Sequence, residues 1–188
     1  MRLGPYRPSR AKCAAAWAVA FASLAVSGCS PALNWREVRL EGPGLAAMFP
    51  CRPVAQTRDV VLAGHALSPR LDACESDGGT YAVMAVDVRD PSEVGAVLKS
   101  LRDASLAKLG SPQGASAASA AWQVEGMTPQ PAAGRWTLTH SQAGQPPVRM
   151  DTAVFAHGTW VVQASVIGPA AAAGRESEPF FEGLRFVR

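Results

Sequence analysis

The sequence predicts an α+β domain, an antiparallel β-sheet packed by one long helix at about 90–109 and a short C-terminal helix at about 177–183. Three observations predict this class. Apolar runs of strand length recur along most of the chain. They are separated by short turns, which join antiparallel neighbours. One segment combines a capped start with an apolar stripe at helical spacing.

The first half of the domain is predicted to form strands. Ala63-Gly64 separates two of them and suits a hairpin turn. Pro69 lies inside one run and cannot donate a ladder hydrogen bond, so we expect an edge strand or a broken one there. Six consecutive apolar residues, Tyr81 to Val86, predict a strand covered on both faces. The predicted strands are WREVRL (35–40), LAAMFP (45–50), RDVVLAG (58–64), HALSPRLDAC (65–74) and TYAVMAVDV (80–88).

The long helix is predicted from its ends and its periodicity. Asp90 is a candidate N-cap, and Pro91 suits the first helical position. Gly110 is expected to end the helix. We expect the apolar stripe to pack in the core rather than to dock a partner. Its members are Val94, Val97, Leu98, Leu101 and Leu109.

The second half is predicted to contain a central β-hairpin around His157-Gly158, because glycine accepts the positive φ of a tight primed turn. The predicted register pairs Ala156 with Thr159 and places Phe155 opposite Trp160. Both faces of this ribbon are apolar, which favours a central position. The strands expected in this half are WQVEG (122–126), RWTLTH (135–140), PVRMDTAVFA (147–156) and TWVVQASVI (159–167).

The C-terminal segment is predicted to close the domain. A short helix at about 177–183 places Phe180 and Leu184 four residues apart, so both can dock on the sheet. The following LRFV adds a final strand or lies along the sheet edge. Residues 110–120 have the small-residue composition of a linker or loop.

The first 28 residues have the layout of a secretory signal peptide. A basic flank without acidic residues precedes an apolar run at 13–26. This run of 14 residues is shorter than the roughly 20 that a membrane span needs, so an uncleaved anchor is the weaker interpretation. The basic residues of the flank are Arg2, Arg7, Arg10 and Lys12.

The end of that run, Val26-Ser27-Gly28-Cys29, resembles the lipobox of bacterial lipoproteins. The resemblance implies a diacylglycerol on the Cys29 sulfur, cleavage between Gly28 and Cys29, and acylation of the new amino terminus. The alternative is an ordinary buried cysteine. Ser30, rather than Asp, follows the lipidated position, which in that family favours the outer membrane. Cys13 would leave with the signal peptide.

Removal of residues 1–28 leaves 160 residues, with an acylated N-terminus and short tether at 29–34 and a single domain at 35–188. Taking the four basic residues of the signal from 18 leaves 14 against 15 acidic residues. The mature chain is therefore nearly neutral, which disfavours nucleic acid as a partner. The expected partners are the membrane, through the lipid on Cys29, and another envelope protein.

Cys51 and Cys74 are predicted to form a disulfide, because an even pair of cysteines in an exported chain is typically oxidised. A redox couple or a metal pair would require C-x-x-C spacing or nearby histidine ligands, and neither is present in the sequence.

The order of predicted elements resembles the PsbP-like α/β/α sandwich, which also occurs in small bacterial lipoproteins. The segments that carry the resemblance are LAAMFP (45–50), WVVQASVIG (160–168) and EPFFEGLRF (178–186). The resemblance implies an accessory or binding subunit without shared catalytic residues, and it assigns no site positions.

Catalytic chemistry is not expected. The sequence has no G-x-S-x-G motif and no metal-binding histidine spacing, so we expect no enzyme activity, no cofactor and no metal. Arg149 and Asp151 are expected to form a structural ion pair. The sequence thus predicts a non-catalytic envelope lipoprotein that binds or supports another protein. The alternative is a carrier or sensor for an apolar or glycan ligand, with a pocket lined by Trp35, Trp122, Trp136 or Trp160.

Overall fold

The computed structural model describes residues 33–107, 122–141 and 144–187. The described residues belong to one compact unit, Ala32–Arg188. Its helices are α1 (Val94–Ala107) and α2 (Ala170–Glu182). Its strands are β1 (Arg36–Leu40), β2 (Leu45–Phe49), β3 (Val54–Thr57), β4 (Val60–Leu62), β5 (His65–Leu67), β6 (Arg70–Ser76), β7 (Gly79–Asp87), β8 (Gly134–His140), β9 (Val148–His157), β10 (Trp160–Pro169) and β11 (Arg185–Phe186).

The strands form three antiparallel sheets. The largest has the order β3-β6-β7-β10-β9-β8, a second has the order β1-β2-β11, and β4 and β5 form a separate hairpin. Together with the two helices, this confirms the α+β prediction in its coarse form, a mainly antiparallel β-sheet structure with two helices.

The large sheet separates two hydrophobic clusters, because side chains along a strand alternate between its faces. On one face, Tyr81, Phe155 and Val162 lie in a cluster with residues of β2 and α2, including Phe49 and Phe180. The other face has its own cluster, which joins strand residues to the apolar stripe of α1. Its buried members are Val86, Val88, Val94, Val97, Leu98, Leu101, Val154, Ala156 and Val161.

The β9–β10 hairpin and its two faces are as predicted, but the predicted register is wrong by two residues. His157 pairs with Trp160, and Phe155 pairs with Val162 rather than with Trp160. The turn residues are therefore Gly158 and Thr159. Gly158 has φ +57°, which fits the first central position of a two-residue primed turn. A slip of two residues preserves the alternation, so each side chain keeps its predicted face.

The segment WQVEG (122–126) was predicted to be a strand, and this is wrong. It forms a loop with a single bridge from Glu125 to Arg185. Val124 is buried, and the Trp122 ring packs edge-on against Phe155 and Phe181. The alternating apolar residues therefore dock a loop on the core, and Gly126, with φ +82°, turns the chain away.

The helix boundaries also differ from the prediction. Residues 91–93 form a turn, in which the Glu93 N–H donates to the Asp90 carbonyl, and α1 begins only at Val94. The predicted end at about 109 and the linker 110–120 lie outside the described residues. The C-terminal helix starts at Ala170 instead of 177, because the alanine-rich run before it has high helix propensity.

Three other local predictions are confirmed, and one strand was missed. Ala63-Gly64 forms a hairpin turn with both residues at positive φ. The chain breaks at Pro69, between β5 and β6. LRFV contributes β11, which pairs with β2. The missed strand is β3, whose four residues are all exposed and so carry no alternation of burial.

The predicted disulfide between Cys51 and Cys74 is present. It joins the chain just after β2 to β6, and so ties the three-stranded sheet to the large sheet. Because 23 residues separate the two cysteines in the sequence, the disulfide reduces the number of conformations that the unfolded chain can adopt.

Replacing Cys51 and Cys74 together by alanine is expected to lower the free energy of unfolding by about 3 kcal/mol, because the unfolded chain regains its loop entropy. Urea unfolding of wild type with and without reductant measures this effect, and the double variant should be insensitive to reductant. Identical midpoints for oxidised wild type and the double variant would contradict it.

Candidate functional site

The residues predicted to be lipidated and cleaved, Cys29 and Gly28, lie outside the described residues. Cys51 and Cys74 are joined to each other, as described above. Within the described residues, no group of three or more His, Cys, Asp or Glu side chains is arranged to hold a metal ion. No helix of that part of the chain is long and apolar enough to cross a membrane.

The predicted pair of Arg149 and Asp151 is an ion pair, with 2.9 Å between Nη2 and Oδ1. Asp151 is fully buried, and its Oδ1 also accepts a hydrogen bond from Thr137 Oγ1 at 2.5 Å. A buried carboxylate is stable only when its charge is compensated by such partners. This arrangement satisfies Asp151 within the protein, which indicates a structural role.

A second charged pair fastens α2 to β8. Arg135 donates two hydrogen bonds to Glu178, at 2.7 and 2.9 Å, and its guanidinium lies 4.1 Å from the centre of the Phe181 ring. The hydrogen bonds from Arg135 lower the pKa of Glu178 below its ordinary value. A bidentate pair on an aromatic ring holds the helix in place rather than offering a free charge to a ligand.

A groove of about 900 Å³ lies at one end of the large sheet. It is bounded by the β1–β2 turn, the β4–β5 hairpin and the ends of β7 and β10. Polar and charged side chains and one aromatic ring line it, together with small and aliphatic residues. The polar, charged and aromatic side chains of the lining are Glu41, His65, Ser68, Arg70, Asp87, Arg89 and Trp160.

Trp160 forms one wall of this groove. It is the first residue of β10, pairs with Asp87 of β7, and is half-buried. Its six-membered ring lies against Gly42, where a Cβ atom would come within 2.5 Å of Cη2. Gly42 also has φ +103°, a conformation that favours glycine. The glycine therefore allows the turn to approach the indole and determines where the ring lies.

Arg70 lies on another side of the groove with its charge fully engaged. Its Nε and Nη2 donate to the two oxygens of Asp72, at 2.9 and 3.1 Å, and its Nη1 donates to Glu41 at 2.8 Å. Asp72 is only 5% exposed. The hydrogen bond to Asp72 raises the pKa of Arg70. Arg70 is therefore a rigid, neutralised part of the wall.

Arg89 is held at the groove in an unusual backbone conformation. Its φ is +66°, in the left-handed region that residues other than glycine seldom adopt. The Arg89 N–H donates to Asp87 Oδ1 at 2.9 Å, and the Thr159 hydroxyl donates to the same oxygen at 2.7 Å. The Arg89 side chain is exposed, and the structure shows no ion pair for it within the described ranges. Its guanidinium is available to a ligand.

His65 and the other described tryptophan side chains have structural explanations. His65 Nε2 lies 3.0 Å from Glu93 Oε2, which links β5 to the turn before α1. Trp35 packs edge-on against Tyr81, and Trp122 packs against the core as described. Trp136 packs against the cluster that contains α1. Trp160 is thus the tryptophan that lines the large groove.

Sequence analysis did not identify Gly42, Arg70, Asp87 or Arg89 as site residues. They come from separate turns and strand ends, so no local spacing connects them. A usable signal was the EGPG turn around Gly42, but this pattern predicts a turn and not a groove.

No family model, no curated protein and no solved structure matches the chain.

The substitution Gly42→Ala is expected to destabilise the domain by about 2–3 kcal/mol, because the new methyl group displaces the Trp160 ring and the backbone is strained. Gly64→Ala is the matched control, since Gly64 has φ +86° with nothing within 4 Å of an added Cβ. It should cost only about 1 kcal/mol.

Urea unfolding measures the loss of stability in both variants. Displacement of the indole should also shift the tryptophan emission of Gly42→Ala to the red. This shift should be absent when Gly42→Ala is combined with Trp160→Phe. Equal costs for the two glycine substitutions would contradict the close contact.

Proposed function

We propose that the chain is a lipid-anchored lipoprotein of the bacterial cell envelope, whose domain is a non-catalytic binding or accessory subunit for another envelope protein. The observation that carries the proposal is Val26-Ser27-Gly28-Cys29 directly after a basic flank and an apolar run. Lipoprotein maturation alkylates the sulfur atom of a cysteine at this spacing. Two or more acyl chains on Cys29 would make the attachment stable, whereas a single chain binds only reversibly.

The disulfide between Cys51 and Cys74 supports export, because disulfides persist in oxidising compartments such as the bacterial periplasm. Ser30 supports sorting to the outer membrane rather than retention at the inner membrane.

The tether supports a domain held close to its membrane. The five residues 30–34 reach about 17 Å when extended. The Asn34 N–H donates to the Pro50 carbonyl at 2.8 Å, which fixes the start of the domain next to the end of β2. β1 leads from there to the β1–β2 turn at the groove. The groove is therefore at the opposite end of β1 from Asn34, where the predicted tether ends.

The PsbP-like resemblance is part of the same proposal, with a long helix extending to about 109 over one face of the sheet. The buried side chains of Val94, Val97 and Leu101, which cluster with Val154 and Val161 of the sheet, support it. A binding or accessory role without catalysis is what that resemblance implies.

Cys29→Ser is expected to abolish incorporation of labelled palmitate and to leave the precursor unprocessed, because the alkylated sulfur is gone. Cys13→Ser is the matched control, since it removes a thiol within the signal peptide, and it should keep both label and processing. Metabolic labelling followed by electrophoresis measures both. A Cys29→Ser protein that retains the label and the mature mobility would refute the lipid anchor.

The protein-binding role predicts a specific neighbour at the groove. A photoreactive residue at Ala66, which is exposed at the groove, should crosslink in cells to one defined envelope protein, identified by mass spectrometry. The same residue at Arg39, whose side chain is 73% exposed and does not line the groove, should not. Capture of only lipids and abundant porins from both positions would count against a protein partner.

The groove favours a second candidate function, that of a carrier or sensor for a glycan. Its volume of about 900 Å³ lies in the range of ligand sites. A half-buried indole beside hydrogen-bonding side chains suits the apolar face and the hydroxyls of a sugar. The same polar lining disfavours an apolar ligand, which was the other ligand class predicted from the sequence.

A further inference from the structure

We propose that the groove binds a saccharide carrying a single carboxylate, with its ring against Trp160 and its carboxylate on Arg89. This inference rests on the glycan-binding function proposed above and names the ligand class. It goes beyond that function because it assigns the charge of the ligand and the residue that selects it.

The number of free charges in the groove sets the charge of the ligand. Arg70 is paired with both Asp72 and Glu41, and His65 lies against Glu93. Arg89 is then the cation of the described lining that has no ion pair. A dianionic phosphate ester would require more than one free cation. A planar carboxylate matches a single guanidinium, which can donate two parallel hydrogen bonds to it.

The backbone of Arg89 is fixed before any ligand binds. Its left-handed backbone is held by Asp87, and Asp87 is held by the Thr159 hydroxyl. The Val88 N–H donates to the Thr159 carbonyl at 3.0 Å, which extends the pairing of β7 with β10 by one residue. A strained conformation that the surroundings maintain is typical of preorganised sites. The unpaired guanidinium therefore projects from a rigid base.

The same pairing brings Arg89 close to the aromatic wall. Asp87 pairs with Trp160, so Arg89 lies two residues beyond the partner of the tryptophan. The indole offers an apolar surface, and Gly42 supports its outer ring. The Glu41 carboxylate, whose side chain is 84% exposed, and the Ser68 oxygen, whose hydroxyl donates to Asp59, can accept hydrogen bonds from sugar hydroxyls. An aromatic surface, hydroxyl partners and one cation together describe a site for a monoanionic sugar.

The test compares two pairs of sugars in which one member carries a carboxylate and the other is neutral, using saturation-transfer NMR on the full mature lipoprotein in detergent. N-acetylmuramic acid should bind about tenfold more tightly than N-acetylglucosamine, because a hydrogen bond to a charged group is worth that factor or more. Glucuronic acid and glucose should show the same order.

Arg89→Gln should remove the preference and leave both members of each pair with the affinity of the neutral sugar. Arg39→Gln is the matched control, since Arg39 is exposed outside the groove, and it should keep the preference. Circular dichroism verifies that each variant is folded. Trp160→Phe should weaken acidic and neutral sugars equally, because it alters the ring surface and not the charge.

The outcomes separate the two proposals. Equal binding of acidic and neutral sugars by wild type would overturn the carboxylate assignment while the glycan function stands. A preference that survives in Arg89→Gln would overturn the role of Arg89. No binding of any of the four sugars would overturn the glycan function and, with it, this inference.

Discussion

The pairing of β10 with β7 on one side and β9 on the other is the constraint on which the rest of the structure depends. β10 is paired from Trp160 to Pro169 with β9 and from Trp160 to Ile167 with β7. Because these strands are central, both of their faces are buried, and alternate residues enter two separate clusters. β2 and α2 contribute to one cluster, and α1 contributes to the other.

The same arrangement of strands also decides which charged side chains have ion-pair partners and which do not. Asp151 lies within the buried sheet, and Arg149 and Thr137 compensate it there. Asp72, at the edge of the groove, is compensated by Arg70 in the same way. Charges left without a partner must lie where water or a ligand can reach them. Arg89, two residues past the end of β7, occupies such a position, so the candidate site is at this end of the sheet.

Much of the fold could be predicted from local sequence, and little of the candidate groove could. The turns at Ala63-Gly64 and Asp77-Gly78, with positive φ at both residues of each, follow from small and polar residues between apolar runs. The loop 122–126 was predicted to be a strand because its apolar residues alternate with polar ones. A loop that packs alternate side chains on the core has the same pattern as a strand paired in a sheet. The groove joins Gly42, Arg70 and Arg89, and no spacing in the sequence connects these residues.

By itself, the sequence determined which side chains face the core and that Cys51 and Cys74 would pair. Both are local or compositional properties: alternation belongs to a single strand, and an even cysteine count indicates oxidation. Only the tertiary structure decided the register of β9 with β10, the start of α2 at Ala170, and the placement of Arg89 beside Trp160. Each of these depends on partners distant in the chain, and a two-residue slip leaves the local pattern unchanged.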